Sequence, residues 1–382
     1  MKNRFLLLAI SIALLTVSMR AVNNMLVTTL PLFGKYILHF SNGEIGLLTS
    51  ISFISTFLAT SLINPRLGTH ARKILFSLST FLIILILILI FYSNSLTVWI
   101  FSVIAGFSYG LISPNIITSA SLIDEKKLAE RLLAIYSVSL SLSLVFGPLL
   151  ETFLLNYFNY REIFLLFVPL ALPLFILSFK TEFPKEKEEK FSLKEINKKS
   201  LFASIFNLMI YNIPFSIITV YAAIYSIEIY HVTNTLAYFI YVPFFTISLL
   251  TRLTMVIRPF KDLRKPIIIS ALLTAIGVIM LAIPSNFYFV IFSMALLGIP
   301  HGAIFPMSTI MISRSTKIYE RNAVNSYLIA SGDITTMIFP PVYGFLIPYL
   351  GFRILIGSLA IPVAIFFIIL YKNYFNESFM KI

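Results

Sequence analysis

The sequence predicts an all-α integral membrane protein with twelve transmembrane helices and both termini in the cytoplasm. Of its 382 residues, 58% are hydrophobic and only 12% are charged, whereas soluble domains carry about 25% charged residues. Apolar runs of roughly 20 residues, the length of a membrane-spanning helix, recur along the chain, for example at 74–92. These runs are too long and alternate too little to be strands of a membrane β-barrel.

The predicted helices follow from these apolar runs and from the charged or helix-breaking residues between them. Predicted helices 1 to 12 lie, in order, at 5–30, 44–63, 74–92, 96–120, 132–155, 162–179, 201–226, 236–256, 266–284, 287–311, 322–347 and 352–371. Lys2 and Arg4 precede an apolar run, as in a signal peptide, but Arg20 and the continuation to Leu30 indicate a retained first helix. The chain has no cysteine, which excludes disulfides and cysteine-ligated metals.

Basic residues are distributed unevenly between the two alternating sets of loops. One set holds only Lys35, Arg161 and Arg353. The other set holds Lys2, Arg4, Arg66, Arg72, Lys73, Lys126, Lys127, Arg131, the segment 180–200, Arg258, Lys261, Arg264, Lys265, Arg314, Lys317, Arg321, Lys372 and Lys381. Because basic residues accumulate in cytoplasmic loops, we predict that this second set and both termini are cytoplasmic. The net charge of +13 is then a topology signal, and no nucleic-acid partner is expected.

One long polar stretch divides the chain into two parts. Residues 180–200 contain seven lysines and five glutamates, and we predict a solvated, partly helical cytoplasmic linker there. This linker separates an N-terminal six-helix bundle at 1–179 from a C-terminal six-helix bundle at 201–382.

The two bundles resemble copies of each other at an offset of 192 residues. The residues that coincide are uncommon ones: His39 with His231, Asn42 with Asn234, Arg66 with Arg258, Arg72 and Lys73 with Arg264 and Lys265, Gly106 with Gly298, Gly110 with Gly302, Pro114 with Pro306, Pro148 with Pro340, and Arg161 with Arg353. Six helices in each copy leave both copies in the same orientation. Two parallel six-helix repeats are the layout of major facilitator transporters.

Several motifs also resemble the major facilitator superfamily (MFS). The family's loop after helix 2 reads G-x-x-x-D-R-x-G-R-R, and 64–73 keeps only its final basic pair, with Asn64, Gly68 and Ala71 at the first glycine, the aspartate and the second glycine. The second copy of this loop, at 252–265, keeps Arg252, Arg264 and Lys265.

Two further stretches carry the resemblance into predicted helices 5 and 6. "NYREIF" at 159–164 resembles the family's G-W-R-x-x-F, and "LVFGPLLE" at 144–151 resembles the G-P-x-x-G stretch of family exporters, with Glu151 at the last glycine. The resemblance covers the whole chain and implies two pseudo-symmetric six-helix bundles, a small-molecule substrate and no cofactor. We expect a monomer in the lipid bilayer of the plasma membrane. Basic residues expected to set topology and to close the cytoplasmic side are Arg72, Lys73, Arg131, Arg252, Arg264, Lys265 and Arg321.

Polar residues within the predicted helices form stripes, because they recur at spacings of three or four. By resemblance, predicted helices 1, 4, 7 and 10 line a central cavity, and the stripes lie on these four helices. The candidate substrate contacts are Arg20, Asn23, Asn24, Tyr109, Ser113, Tyr211, Asn212 and His301. The repeat aligns Arg20 with Asn212, so the duplicated scaffold does not by itself require a charge there.

Structural alternatives exist for each of these groups. Arg20 and Asp333 can form an ion pair between the bundles, His301 can be a hydrogen-bonded packing residue, and both tyrosines can be ordinary aromatic packing. The glycines spaced by four residues are expected to allow close contact between helices.

Two acidic residues are candidates for coupling transport to protons. Asp333 lies 12 residues after Arg321, roughly 18 Å into predicted helix 11. A carboxyl group in a low-dielectric cavity near a cation can bind and release a proton near neutral pH. Glu151 is the second candidate, although its position near the outer end of predicted helix 5 also allows simple contact with solvent.

The predicted function is secondary active transport, not enzymatic catalysis. No phosphate-binding G-x-x-x-x-G-K-[S/T] loop is present, so we expect the energy to come from an ion gradient, with protons as the coupling ion, unless the protein is a uniporter. Gly147 and Pro148 favour drug or metabolite efflux, whereas Arg20 favours uptake of an organic anion. A metalloenzyme is not expected from four dispersed histidines, and a transport-inactive sensor remains a further alternative.

Overall fold

The computed structural model describes residues 2–120, 126–181, 183, 197–283, 286–316 and 321–381, with side chains left out at 2–4, 118, 120, 126–130, 133–134, 321–323 and 325–326. The described helices are α1 (Lys2–Tyr36), α2 (Asn42–Leu58), α3 (Thr69–Phe91), α4 (Thr97–Ala120), α5 (Lys126–Leu154), α6 (Tyr160–Leu166), α7 (Val168–Ser178), α8 (Lys198–Tyr230), α9 (Asn234–Phe239), α10 (Tyr241–Ile257), α11 (Arg264–Ala282), α12 (Phe287–Ser315), α13 (Arg321–Ser358) and α14 (Ala360–Tyr374). Most of the predicted linker at 180–200 lies outside the described residues.

Eleven helical stretches in the described ranges are long and apolar enough to cross a membrane. The last of them, Tyr327–Tyr374, has 48 residues. A straight helix of that length would extend about 72 Å, more than twice the thickness of the hydrocarbon core of a membrane, about 30 Å. Gly351 interrupts this stretch with a φ of 74°, in the interval where predicted helix 11 ends and predicted helix 12 begins. The all-helical membrane fold is therefore confirmed, and the exact number of twelve crossings stays a prediction.

Helix α1 is longer than the sequence predicted. The prediction that it ends at Leu30 is wrong, because the helix continues through Pro31 to Tyr36. Proline is tolerated inside transmembrane helices, since neighbouring groups satisfy the carbonyl that it leaves without a partner. Helices α4 and α5 likewise continue through a proline, Pro114 and Pro148 respectively.

The chain divides into two compact units, Met1–Glu188 and Glu189–Ile382, called unit 1 and unit 2 below. In unit 1, α1 packs mainly on α5, α2 packs on α4, and α3 packs on α4 and α7. In unit 2, α8 packs on α13, α10 packs on α12, and α11 packs on α12 and α14. Each pairing in unit 1 thus has a counterpart in unit 2.

Glycine-mediated helix contacts recur at the offset of 192 residues. A Cβ atom added at Gly106 would lie 2.1 Å from the Ser52 carbonyl oxygen, and one added at Gly298 would lie 2.3 Å from the Phe244 carbonyl oxygen. Gly110 and Gly302 meet Thr56 and Ser248 in the same way, each at 2.5 Å. The predicted role of these four glycines in close helix contact is confirmed.

Helix ends recur at the same offset. His39 and His231 are the two described non-glycine residues with positive φ, at 60° and 51°. The side chains of Ser41 and Thr233 then cap the next helix by accepting a hydrogen bond from a backbone N–H three residues on. Similar local conformations at equivalent positions support the internal repeat.

One interface differs between the units. In unit 2, Asn207 of α8 donates hydrogen bonds to the Ile304 carbonyl (3.1 Å) and the Ser308 hydroxyl (2.9 Å) of α12. The hydroxyls of Ser204 and Ser308 each donate to the other residue's carbonyl, at 2.9 and 3.1 Å. The equivalent positions in unit 1 are the buried apolar residues Ile12, Leu15, Ile112 and Ile116. A polar helix interface in one unit is therefore an apolar one in the other.

Candidate substrate and coupling sites

Arg20 lies in α1 of unit 1 and is half-buried. Its Nε atom is buried and has no hydrogen-bond partner within the described part of the chain. The Arg20 charge acts electrostatically on Tyr136 of α5, so the guanidinium lies close to that helix. Asn24, one turn further along α1, is buried, and its Nδ2 atom likewise has no hydrogen-bond partner among the described residues.

Asn23 and Tyr109 line the same small cleft between α1, α2, α3 and α4 of unit 1. Its cavity volume is about 30 Å³, enough for about one water molecule. Sites for small molecules usually measure roughly 300–1,000 Å³, so this cleft alone does not hold a solute. The Tyr109 hydroxyl is buried without a hydrogen-bond partner in the described ranges, and Ser113 lies one turn away, half-buried.

Glu151 of α5 is fully buried, and the Thr29 hydroxyl of α1 donates a hydrogen bond to its Oε1 atom. The interpretation in which Glu151 meets solvent is therefore wrong. It assumed that the outer end of α5 is open, whereas α1 and α5 pack along each other in unit 1. An acidic side chain and a hydroxyl thus meet inside a membrane-spanning part of the molecule.

In unit 2, His301 of α12 is surrounded by four aromatic rings. The ring centroids of Phe215 and Phe244 lie 4.6 and 5.0 Å from that of His301, and those of Tyr211 and Phe245 lie at 5.3 and 5.6 Å. Two rings come from α8 and two from α10. We call these five residues the aromatic cluster. Sequence analysis identified Tyr211 and His301 but not the three phenylalanines.

Asn212 has a structural contact in unit 2. Its Nδ2 atom donates to the Gly332 carbonyl of α13 at 2.9 Å and to the Thr335 hydroxyl. The equivalent of Arg20 in the second copy therefore joins α8 to α13. Asp333 lies between these two contacts and is half-buried.

The basic residues assigned to topology have different environments. Lys73, Arg131 and Lys265 are exposed, and the side chain of Arg321 lies outside the described residues. Arg72 donates to the Leu67 carbonyl at 3.0 Å and to the Asn64 carbonyl at 3.4 Å, so it holds the turn that follows α2. Arg252 is half-buried, and its charge acts on Tyr211 of the aromatic cluster. Its position near this cluster is not explained by a role in topology alone.

Arg264 forms a bidentate pair with Asp262, with contacts of 2.9 and 2.7 Å. The hydrogen bonds from Arg264 lower the pKa of Asp262 to about 2. Beside this pair, Arg314 donates to the carbonyls of Phe260 (2.7 Å) and Phe379 (3.2 Å), and thereby joins the loop after α10 to the C-terminal segment. Sequence analysis did not identify these contacts.

A family model described as the Major Facilitator Superfamily matches residues 12–259 and 260–378, nearly the whole chain. The chain belongs to the Major Facilitator Superfamily. The family resemblance drawn from the sequence is thereby confirmed.

Solved structures with the same fold include several transporters. A D-xylose-proton symporter is 13% identical with a TM-score of 0.73, and the match covers 98% of each chain. A POT family transporter in complex with a thioalcohol-conjugated peptide is 13% identical with a TM-score of 0.73, covering 97% of this MFS chain and 96% of its own. The nucleoside transporter NupG is 13% identical with a TM-score of 0.69, covering 96% and 99%. At this identity the likeness shows the MFS fold alone.

A comparison with curated protein sequences finds no match. Because the chain belongs to this family of transporters, the prediction that it is not an enzyme is confirmed.

Proposed function

We propose that this MFS protein is a secondary active transporter that moves a small solute across the plasma membrane and couples that movement to protons. The observation that carries coupling is the fully buried Glu151, which accepts a hydrogen bond from the Thr29 hydroxyl. Burying a charged carboxylate in a membrane protein is costly, whereas burying a protonated carboxyl is much less so. A buried acid can therefore bind a proton in one conformation and release it when the surroundings change.

Asp333 is the second coupling residue in this proposal. The hydrogen bonds from Asn212 to the Gly332 carbonyl and the Thr335 hydroxyl hold α13 against α8 on both sides of Asp333. The carboxyl group is thus attached to a helix whose position in unit 2 is fixed by specific contacts. Because α13 is held in this way, the surroundings of the Asp333 carboxyl group can change with the conformation of the protein and not with random motion of α13 alone.

The transport cycle that we propose is alternating access. In this cycle twelve helices cross the membrane and both termini are cytoplasmic. A monomer binds the solute and exposes it to each side of the membrane in turn. We propose export by proton antiport as the direction, because 144–151 resembles the helix 5 stretch of family exporters.

Transport by purified protein in liposomes tests this proposal. A pH gradient should drive accumulation of at least one member of a panel of organic anions, sugars and lipophilic cations, and the sign of the gradient that drives uptake should identify antiport or symport. The proposal fails if no member of the panel moves or changes the thermal stability of the protein.

Substitution of the two acids tests coupling directly. Glu151→Gln and Asp333→Asn should each abolish gradient-driven accumulation and leave exchange of solute for solute. Glu44→Gln is a matched control, because Glu44 is an exposed residue of the capping box at the start of α2, where glutamine serves equally well. Unchanged accumulation in one of the two variants would remove that residue from the coupling mechanism.

Arg20 favours a second candidate, an uptake carrier for organic anions. A half-buried guanidinium with a buried Nε atom that has no hydrogen-bond partner within the described ranges is suited to an anionic group of a substrate. Arg20→Gln should then weaken transport of anions far more than that of neutral solutes. An equal loss for both kinds of solute would indicate a structural role, such as an ion pair with Asp333.

A further inference from the structure

The aromatic cluster of unit 2 contains both buried and partly exposed rings. Tyr211, Phe244 and Phe245 are buried, whereas Phe215 and His301 are half-buried. The ring of Phe215 stacks on Phe244 with an interplanar angle of 9° and on Tyr211 with an angle of 28°. Phe215 and His301 are therefore packed against buried rings and keep part of their own surface accessible.

A packing role alone does not explain the Tyr211 hydroxyl. Tyr211 is only 3% exposed, and its hydroxyl has no hydrogen-bond partner in the part of the chain that the structure describes. Buried tyrosine hydroxyls usually find a partner, because an unsatisfied polar group costs about 1–3 kcal/mol. In a protein that changes conformation, such a partner can be a ligand that binds in another state of the cycle.

The charges near the cluster restrict the ligand. Aromatic faces attract either other rings or cations. The positive charge of Arg252 acts on Tyr211 and opposes a cationic ligand there. A ring without a positive charge is the ligand that remains.

We propose that the aromatic cluster binds the ring of a neutral or anionic aromatic or heteroaromatic solute. The ring stacks on Phe215 and His301, and a polar substituent forms a hydrogen bond with the Tyr211 hydroxyl. This inference rests on the proposed transport function and names the substrate class for unit 2.

The test compares solutes that differ only in the ring or in the charge. Benzoate and cyclohexanecarboxylate have the same carboxylate but an aromatic and a saturated ring, and benzylamine has the aromatic ring with a positive charge. Purified full-length protein is assayed with each probe for a shift in thermal stability and for counterflow in liposomes. Benzoate should bind about three- to tenfold more tightly than cyclohexanecarboxylate, the range expected for one ring–ring contact, and more tightly than benzylamine.

Variants assign the effect to the cluster. Phe215→Leu should remove the preference for benzoate over cyclohexanecarboxylate, and Tyr211→Phe should weaken benzoate while the protein remains folded. Phe206→Leu is the matched control, because Phe206 also lies in α8 but stacks on Phe202 and Phe366, outside the cluster. It should keep the full ring preference.

The outcomes separate this inference from the proposed function. The inference is wrong if none of the three probes binds, or if benzoate and cyclohexanecarboxylate bind equally. This holds even when another solute of the panel is transported. A preference for benzylamine also contradicts it. Absence of transport for every solute, combined with ring-selective binding, would instead contradict the proposed function and leave the binding site in place.

Discussion

Replacing Gly106 by alanine tests how strongly the close contact between α2 and α4 stabilises unit 1. The new Cβ atom would lie 2.1 Å from the Ser52 carbonyl oxygen, below the 3.0 Å that such contacts require. Because the obstacle is backbone, no side chain can rotate away, and the helices must separate by about 0.9 Å.

That separation also affects three hydrogen bonds that cross the same interface. The hydroxyls of Ser55, Thr56 and Thr60 donate to carbonyls of α4 at 2.8, 2.9 and 3.0 Å. Hydrogen bonds between transmembrane helices are worth about 0.6 kcal/mol each on average, and overpacking costs about 1–3 kcal/mol. We therefore expect Gly106→Ala to destabilise the protein by about 2–5 kcal/mol.

The repeat supplies an internal comparison. Gly298→Ala creates a similar clash, at 2.3 Å from the Phe244 carbonyl oxygen. Unit 2 has Ile247 and Arg252 at the positions of Ser55 and Thr60, so it lacks the hydrogen bonds that those two hydroxyls donate in unit 1. Its cost should be that of overpacking alone, about 1–3 kcal/mol. Gly68→Ala is the control, because its added Cβ atom would have no non-neighbouring atom of the described residues within 4 Å.

Thermal unfolding in detergent, followed by the loss of the monodisperse gel-filtration peak, ranks the variants. The apparent melting temperature should fall most for Gly106→Ala, less for Gly298→Ala and not at all for Gly68→Ala. The ring centroid of the single tryptophan, Trp99 of α4, lies 5.6 Å from that of Phe40, so its fluorescence reports unfolding of unit 1 independently. A Gly106→Ala protein as stable as the wild type would refute the reasoning from backbone contact.

Three further predictions concern unit 2. Gly351→Ala should lower stability by about 1 kcal/mol, because a φ of 74° is strained for alanine, and the melting temperature of the variant measures this cost. Asn207→Leu should cost about 1–3 kcal/mol by removing two hydrogen bonds between α8 and α12, while Asn373→Leu, at an exposed position, should leave the melting temperature unchanged. Because Arg264 lowers the pKa of Asp262 from 3.8 to about 2, their pair should persist at low pH and be lost only as the pH falls through about 2. Pepsin at pH 3 should therefore cleave the C-terminal segment near Phe379 faster in Asp262→Asn than in the wild type or in the control variant Lys261→Gln. Equal cleavage rates in all three proteins would contradict this prediction.

The features that the sequence predicted correctly depend on residues that are rare in a hydrophobic chain. Glycines such as Gly106 and Gly298 stand out against leucine and isoleucine, so their spacing and their offset of 192 residues carried information about helix contact. Charged residues make up only 12% of the chain, and their clustering predicts which parts of the chain leave the membrane.

The aromatic cluster could not be found in the same way. The chain has 37 phenylalanines, so the positions of Phe215, Phe244 and Phe245 are unremarkable in sequence, and their contacts with His301 join residues far apart in the chain. The contact between Thr29 and Glu151 spans 122 residues, and no local pattern marks it. Such features depend on which helix faces meet, and local periodicity leaves that undetermined.

The serine and asparagine contacts between α8 and α12 have a consequence for how unit 2 deforms. Dispersion contacts between apolar helices have no preferred direction, so a second arrangement of the same side chains can recover most of them. Hydrogen bonds are directional, so the bonds of Ser204, Asn207 and Ser308 are satisfied at one register and broken at the neighbouring ones. Unit 2 therefore resists sliding of α12 along α8, and unit 1, where Ile12, Leu15 and Ile116 take these positions, can accommodate such a slide with a smaller loss.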